Sequence, residues 1–228
     1  MRPRDLFLNA ALAAIAWTPS LSQSNPQSTP RFGIIAGANL ATQTRLQDAS
    51  NRIGFAGGLM AVLPVSPSFA IQPELLFTMK GEKLKQGGIS ATSKIDYIEL
   101  PVLARFEIPA FGRVKPLLYG GPGVAYRTHC TLGGIVGSFN AEGIGSLEAT
   151  SVSCDSAVRL DALLEPGAKY SSMDVDGIIG GGFAFDVGGR TITVGVRYDV
   201  GFVKFYRYSD SKNRALSFMG TLEWPFHK

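Results

Sequence analysis

The sequence predicts an all-β fold, an eight-stranded antiparallel up-and-down transmembrane β-barrel, from three observations. Eight stretches after the N-terminus can be written as strands, most of them alternating apolar and polar residues. The connectors between them alternate between short and long, and aromatic residues recur at one end of the stretches. Outer membrane barrels combine period-two strands with short periplasmic turns and longer extracellular loops. The connectors therefore also assign the two rims of the barrel.

The predicted strands begin and end where this alternation does. They are Phe32 to Asn39, Gly54 to Leu63, Phe69 to Lys80, Ile95 to Ile108, Val114 to Tyr126, Asp174 to Val187, Thr191 to Gly201 and Ala215 to Phe226. A tilted strand of roughly 9 to 11 residues spans the hydrocarbon core, which these stretches approach or exceed. Short links follow the second, fourth and sixth strands, and the longest link is a loop over residues 127–173. We expect this loop on the extracellular side.

The N-terminus has the layout of a secretory signal peptide. Arg2 and Arg4 precede an apolar run from Leu6 to Trp17, and small and polar residues follow it. We predict a signal peptide over residues 1–22, a flexible lead-in over 23–31 and the barrel over 32–226. The expected location is the outer membrane of a Gram-negative bacterium. Outer membrane lipid and the barrel-assembly machinery are then the expected partners.

The two faces of the predicted strands differ in polarity. In the seventh strand, Ile192 and Val194 lie on one face, whereas Thr193 and Arg197 lie on the other. Alternation alone also fits a secreted soluble barrel that binds an apolar ligand. Aromatic residues at the periplasmic strand ends favour the membrane, where such residues form an interfacial girdle. The predicted periplasmic girdle is Phe32, Phe69, Phe106, Phe185, Trp224 and Phe226.

The inward face of the predicted barrel carries charged residues of both signs. Side chains fill the interior of an eight-stranded barrel, and an unpaired buried charge is costly. Near-balanced inward charges therefore predict a salt-bridge network in a filled lumen rather than an open pore. The predicted network is Glu74, Glu99, Arg105, Glu107, Arg197 and Glu223, with Lys80, Lys115, Asp176 and Asp186 also facing inward.

The only two cysteines, Cys130 and Cys154, both lie in the longest loop. In an exported protein a disulfide is the expected state, and two free thiols are the alternative. A metal site is not expected, because His129 is the only other nitrogen or sulfur ligand of this type near them. No cofactor is expected.

Four prolines fall inside predicted strands, where a closed barrel offers no edge to tolerate a missing N–H. They are Pro73, Pro101, Pro116 and Pro122. We expect β-bulges at these positions, and the bulges leave the facing of the fifth strand open.

These prolines belong to short strings that occur in the order found in a known family. The strings are Gln72-Pro73-Glu74-Leu75-Leu76, Lys80-Gly81, Tyr97-Ile98-Glu99-Leu100-Pro101-Val102, Lys115-Pro116-Leu117, Gly120-Gly121-Pro122-Gly123 and Val196-Arg197-Tyr198, together with the opening Gly33 to Asn39. Over about residues 31 to 226 the chain resembles the PorT-like outer membrane protein β-barrel family. The resemblance implies an eight-stranded outer membrane barrel. The protein that gives this family its name is tied to secretion of other proteins.

Two features depart from this resemblance. Outer membrane barrels usually end on an aromatic residue, whereas Phe226 is followed by His227 and Lys228. The long loop with its two cysteines is also absent from the strings that carry the resemblance. Features particular to this protein are therefore expected in that loop.

The leading functional prediction is a non-enzymatic integral barrel with a structural or interaction role through its extracellular loops. Its expected partners are proteins of the envelope, including secretion machinery, or proteins outside the cell. Nucleic acid is not an expected partner, because the 22 basic and 18 acidic residues are intermixed along the chain. The alternative is a small lipid-modifying enzyme built on His129, with Ser153 and Asp155 brought near it by the disulfide.

Overall fold

The computed structural model describes residues 29–43, 49–86, 89–109, 114–139, 145–156, 169–206 and 211–226. The predicted signal peptide and most of the predicted lead-in lie outside the described residues. The strands in the described part are β1 Arg31–Gln43, β2 Ala49–Ser66, β3 Phe69–Gln86, β4 Ile89–Glu107, β5 Val114–Phe139, β6 Gly145–Ser153, β7 Met173–Val187, β8 Arg190–Gly201 and β9 Asn213–Pro225. No helix in these ranges is long and apolar enough to cross a membrane.

Eight of these strands form a closed antiparallel barrel. From β1 to β5, each strand pairs with the strand that follows it in the chain. The ring then continues from β5 to β7, from β7 to β8 and from β8 to β9. The β1–β9 pairing closes the ring, from Arg31 opposite Pro225 to Gln43 opposite Asn213. This confirms the predicted eight-stranded barrel. The remaining strand, β6, pairs only with the outer part of β5 and lies outside the ring.

The strands alternate because their two faces meet different surroundings. In β8, Ile192, Val194 and Val196 are exposed on the outside of the barrel. Thr193 and Arg197 of the same strand are buried inside it. The outside of the barrel is thus an apolar surface that suits lipid, and the inside is polar. A soluble barrel has the reverse arrangement, so the structure excludes that alternative.

The connections on one rim are tight. Pro67 and Ser68 alone separate β2 from β3, and Gly188 and Gly189 alone separate β7 from β8. Both glycines have positive φ, of 57° and 76°, as a two-residue type I′ hairpin requires. The chain enters and leaves the barrel at this same rim, where β1 starts and β9 ends. Tight turns mark the periplasmic side of such barrels, and we call this end the periplasmic rim and the opposite end the outer rim.

Several strands extend further toward the outer rim than predicted. The link predicted between Lys80 and Ile95 is mostly strand, because β3 continues to Gln86 and β4 starts at Ile89. The predicted loop over residues 127–173 likewise contains the end of β5 and all of β6. Above the membrane both faces of a strand meet water, so the alternation that identifies membrane strands ceases there although the pairing continues.

The prolines sit in the wall without shifting its register, contrary to the expected bulges. The β3–β4 ladder keeps one register on both sides of the missing partners between Pro73 and Leu76. The β4–β5 ladder does the same between Pro101 and Ala104. Register shifts occur instead between Asn51 and Ala56, between Pro64 and Ser66 and between Asp96 and Tyr97. The backbone hydrogen bonds between the strands on either side of each proline hold the register, although the proline itself has no N–H to donate.

Candidate functional site: the charged lumen and the outer-rim cleft

A cluster of four charged residues fills the periplasmic end of the lumen. Glu223, whose exposed fraction is 0%, accepts hydrogen bonds from Arg105 and Arg31, both at 2.9 Å. Glu107 lies 3.0 Å from Arg105 and 2.6 Å from Arg31. Two guanidinium groups therefore alternate with two carboxylates. Such compensation is what allows these charges to be buried at all.

A second cluster lies at the next level of the lumen, around Arg197. Its Nη1 is 2.6 Å from Glu74 Oε2, and its Nε is 2.8 Å from Asp199 Oδ1. Gln72 joins this cluster to the periplasmic one, because it donates to Glu74 at 2.6 Å and accepts from Arg105 at 3.1 Å. The two clusters thus form one connected network.

A third cluster, centred on Lys80, lies nearer the outer rim. The ammonium group is 2.7 Å from Glu99 Oε1 and 3.4 Å from Asp176 Oδ2. The same nitrogen lies 5.6 Å from the centre of the Tyr97 ring, within cation–π range. Tyr97 in turn accepts a hydrogen bond from Asn213 at 3.0 Å. Polar contacts therefore continue toward the outer rim.

The structure places all six residues of the predicted charge network inside the barrel and distributes them over these three clusters. The three clusters also include residues that the sequence prediction omitted from the charge network. These are Arg31, Gln72, Lys80, Asp176 and Asp199. The predicted lead-in ends at Arg31, although this residue has the same parity as the inward positions of β1. Extending the period-two pattern by one residue pair would have included it.

Lys115 and Asp186, both predicted to face inward, form an ion pair at the periplasmic rim instead of in the lumen. Their N–O distance is 2.8 Å, and the Asp186 side chain is about half exposed beside the Gly188–Gly189 turn. Partial burial tends to raise the pKa of this carboxyl. Hydrogen bonds from Lys115 and Thr191 outweigh that effect, so the pKa of Asp186 is below its usual value. The pair lies at the water-exposed end of the wall.

One small cavity lies among the described lumenal side chains. A cavity of about 10 Å³ lies between residues of the periplasmic and middle levels, among them Gln72, Arg105 and Tyr119. This volume holds about one water molecule. These side chains therefore pack closely around this cavity.

The residues of the predicted periplasmic girdle lie at the ends of strands on the outside of the barrel. Phe32 stacks on Trp224 with 5.8 Å between ring centres, and Phe226 meets the same Phe32 edge-on at 6.4 Å. Phe69 lies opposite Phe106 in the β3–β4 ladder. Phe185 lies opposite Ile192 in the β7–β8 ladder. These positions fit the level at which lipid headgroups meet the hydrocarbon core.

At the outer rim, the predicted disulfide between Cys130 and Cys154 is confirmed. It joins β5 to the residue that follows β6, and so closes the base of the β5–β6 hairpin. Both cysteines are buried, in one apolar cluster with Ile95 and Phe205. The hairpin is therefore attached both covalently and by packing to the top of the barrel. Residues 140–144 at its tip lie outside the described part.

A cleft of about 590 Å³ opens beside this disulfide. Its lining residues are Tyr126, Arg127, Thr128, His129, Cys130, Asp155, Lys169, Tyr170 and Ser172. Arg127 and Asp155 form an ion pair across it at 3.6 Å. The volume is within the range of small-molecule sites. The predicted loop thus contributes a defined concave surface.

His129 lines this cleft, but the predicted neighbours do not all join it. Its Nε2 lies 2.7 Å from the hydroxyl of Thr131, two positions along the same strand. Ser153 instead donates to Ser156 at 2.9 Å. Asp155 reaches Arg127. The disulfide therefore brings Asp155 to the cleft but does not assemble a His129–Ser153 pair.

Several solved structures resemble this chain. Neisserial surface protein A is 10% identical, with a TM-score of 0.49 and coverage of 86% of this chain and 97% of that one. The outer membrane protease OmpT from Escherichia coli is 9% identical, with a TM-score of 0.48 and coverage of 90% and 99%. The attachment invasion locus protein Ail of Yersinia pestis is 11% identical, with a TM-score of 0.43 and coverage of 86% and 99%.

In sequence, no curated protein matches this chain significantly. The family model described as outer membrane protein β-barrel domain matches residues 21–207, which is most of the chain. The barrel with a polar lumen and an apolar outside is the structure that this description requires. The chain therefore belongs to the outer membrane protein β-barrel domain family, whose place is the outer membrane.

Proposed function

We propose that this protein is a non-enzymatic barrel with a filled lumen that presents its β5–β6 hairpin to partner proteins. The observation that carries the proposal is the anchoring of the hairpin. Its base is held by the disulfide between Cys130 and Cys154, and both cysteines are buried in an apolar cluster with Phe205 of the connection between β8 and β9. A strand pair held in this way loses little conformational entropy when a partner binds. The hairpin is thus a preorganised surface.

The interior supports a structural role for the barrel itself. Its charges are paired across the barrel, from Arg31 with Glu107 at the periplasmic end to Lys80 with Glu99 nearer the outer rim. The wall and lumen therefore form a support, and partner recognition belongs to the rims. Outer membrane lipid surrounds the support, and the barrel-assembly machinery inserts it after export through the signal peptide of residues 1–22.

The finer assignment to the PorT-like group is part of this proposal. It is supported by the ordered strings from Gly33 to Tyr198, which include the strand prolines. Under this assignment the host is a Gram-negative bacterium, and proteins of the envelope, including secretion machinery, are the first partners to test.

Site-specific photo-cross-linking in cells tests the proposal. A photoreactive amino acid is placed at Ser151 of β6, which is exposed, and in a matched strain at Arg190, which is exposed beside the periplasmic turn. We expect a discrete cross-linked protein from position 151 that is absent from position 190. If position 151 gives no cross-linked protein in a strain where the barrel is folded and abundant, the proposal is contradicted.

A second candidate function is lipid hydrolysis at the outer-rim cleft, because one contact there has the distance expected of a nucleophile and its base. The Thr131 hydroxyl and the His129 ring are at hydrogen-bond distance, which is the relation of a nucleophile to its general base. Replacement of His129 by Gln distinguishes this candidate. An ester-hydrolysing activity toward lipid A or phospholipid that disappears with His129 would support it, and an unchanged activity would exclude it.

A further inference from the structure

The outer-rim cleft is a break in the wall of the barrel. Pairing between β5 and β7 ends at Tyr126 opposite Met173, and pairing between β5 and β6 begins only at Thr131 opposite Ser153. Within the described residues, which omit 157–168, the edge of β5 that faces the cleft has no continuous strand partner between these points. The backbone N–H of Arg127, which donates to the carbonyl of Ser172 at 2.8 Å, marks the lower end of the break. The cleft of about 590 Å³ lies there.

Arg127 brings an incompletely paired positive charge to this cleft. Its side chain is only 11% exposed, whereas that of Asp155, 3.6 Å away, is 88% exposed. This contact is longer than a hydrogen bond, and it is the only ion pair or hydrogen bond of the guanidinium within the described residues. An exposed partner at that distance contributes little. A largely buried guanidinium with five unused donors is therefore left to face the cleft.

The neighbouring groups favour an anion with several oxygens. Lys169 brings a second cation to the cleft, and His129 brings a ring nitrogen. A planar guanidinium binds two oxygens of a phosphate side by side, and an ammonium binds a third as a point charge. Asp155 is the one acidic residue among the lining residues. Because it is almost fully exposed, it can turn into water when an anion enters.

The position of the cleft along the wall indicates where such an anion comes from. Tyr126 lines the cleft, and its side chain is 58% exposed on the outside of the barrel. The exposed residues nearest to it toward the membrane are apolar, Val124 on β5 and Val175 on β7. Tyrosine at the upper limit of an apolar belt marks the level of lipid headgroups. The Tyr126 side of the cleft therefore lies at that level.

We propose that the outer-rim cleft binds the phosphate group of an outer-leaflet lipid, with Arg127 and Lys169 as its cationic ligands. The inference rests on the placement of this rim at the outer surface. It does not need a protein partner for the hairpin. The lipid would contact the outside of β5 and β7 with its chains and the break in the wall with its headgroup.

Binding to the purified, oxidised full-length barrel in a phosphate-free detergent tests this inference. The probe is short-chain phosphatidic acid, with short-chain phosphatidylcholine and inorganic phosphate as the comparison ligands, and binding is followed through the backbone amide NMR signals of residues 126–130. We expect phosphatidic acid to bind more tightly than either comparison ligand. Equal binding of inorganic phosphate would overturn the assignment to a lipid.

Matched variants locate the site. We expect Arg127→Gln and Lys169→Gln each to weaken phosphatidic acid binding about tenfold or more, the loss of one charge-assisted contact. Asp155→Asn should bind at least as tightly as the parent. Lys115→Gln removes the same charge at the periplasmic rim and should leave binding unchanged. The heat-dependent gel mobility of each variant reports its folding.

Two results would refute the site. One is unchanged binding in both Arg127→Gln and Lys169→Gln. The other is an equal loss in Lys115→Gln, which would show attraction to net charge alone. Because these measurements use purified protein, they leave the hairpin cross-linking result intact, and either idea can fail without the other.

Discussion

Arg197 is the residue whose replacement tests the filled lumen most directly. It is buried in the middle cluster, with Glu74 at 2.6 Å and Asp199 at 2.8 Å. Replacement by Met keeps much of the side-chain length and removes the charge. Two buried carboxylates are then left without their cation. We expect the free energy of unfolding to fall by about 3–5 kcal/mol, the usual loss when one partner of a buried pair is removed.

The contacts of Arg197 account for the expected decrease in the free energy of unfolding. Each charged hydrogen bond is worth about 1.5–3 kcal/mol, and Arg197 makes two in the network. Gln72 still donates to Glu74 in the variant, which offsets part of the loss. In the triple variant Arg197→Met, Glu74→Gln, Asp199→Asn the three charges of this described cluster are all removed together. We therefore expect it to regain more than half of the lost stability, because neutral replacements of buried ion pairs are often tolerated.

The assay is urea unfolding of the barrel in lipid vesicles, followed by far-UV circular dichroism and by heat-dependent gel mobility. The slope of the free energy against urea should stay the same if only stability changes. Arg214→Met is the matched control, because Arg214 is exposed. A loss within about 0.5 kcal/mol for Arg197→Met, the range of an ordinary surface change, would refute the reasoning. So would a triple variant less stable than the single one.

Three further predictions concern other parts of the molecule. Cys130→Ser with Cys154→Ser should leave the barrel folded but remove about 3 kcal/mol, the loop-closure contribution for a separation of 24 residues; protease should then cut the β5–β6 hairpin first, and uncut protein would contradict this. The oxidised barrel should give no steady conductance steps in planar bilayers, because paired side chains occupy the lumen, and regular steps would contradict a filled lumen. Lys115→Gln should raise the pKa of Asp186 in an NMR titration, since the pair lowers it. Because the pKa of Asp186 is lower in the folded protein than in the unfolded chain, the pair stabilises the fold at a pH above the unfolded pKa. This stabilisation is lost as the pH falls through the folded pKa. An unchanged Asp186 titration in Lys115→Gln would contradict the ion pair.

The alternation in the membrane part of the chain was predictable, but the partners of individual charges were not. Lipid outside and packed charges inside place opposite demands on neighbouring residues, so Val196 and Arg197 could be assigned to faces from the sequence. The partner of each charge depends instead on the register between strands far apart in the chain. Arg105 on β4 and Glu223 on β9, which are 118 positions apart, meet only because closure of the ring brings both strands around one lumen.

The hairpin was missed for a related reason. Its strands lie above the apolar belt, where no lipid selects apolar residues on one face. The segment around Gly133 and Gly134 therefore resembles a flexible loop in composition. The cysteines were the one usable signal, since a disulfide at the base of a long segment limits how far that segment can move. The hairpin is a strand pair because β6 pairs with β5, and this pairing cannot be predicted from the local composition.

The hairpin and the cleft are two results of one change in strand pairing. Because β5 is longer than β7, it exchanges one neighbour for another between Tyr126 and Thr131, and the described part of the wall opens where the exchange occurs. Cys130 lies in that interval, lines the cleft and is bonded to the residue that ends β6. The bond therefore fixes both the hairpin and the width of the cleft. Removal of both cysteines should accordingly weaken phosphatidic acid binding as well as expose the hairpin to protease. The Arg197 cluster, at a lower level of the lumen, should be unaffected.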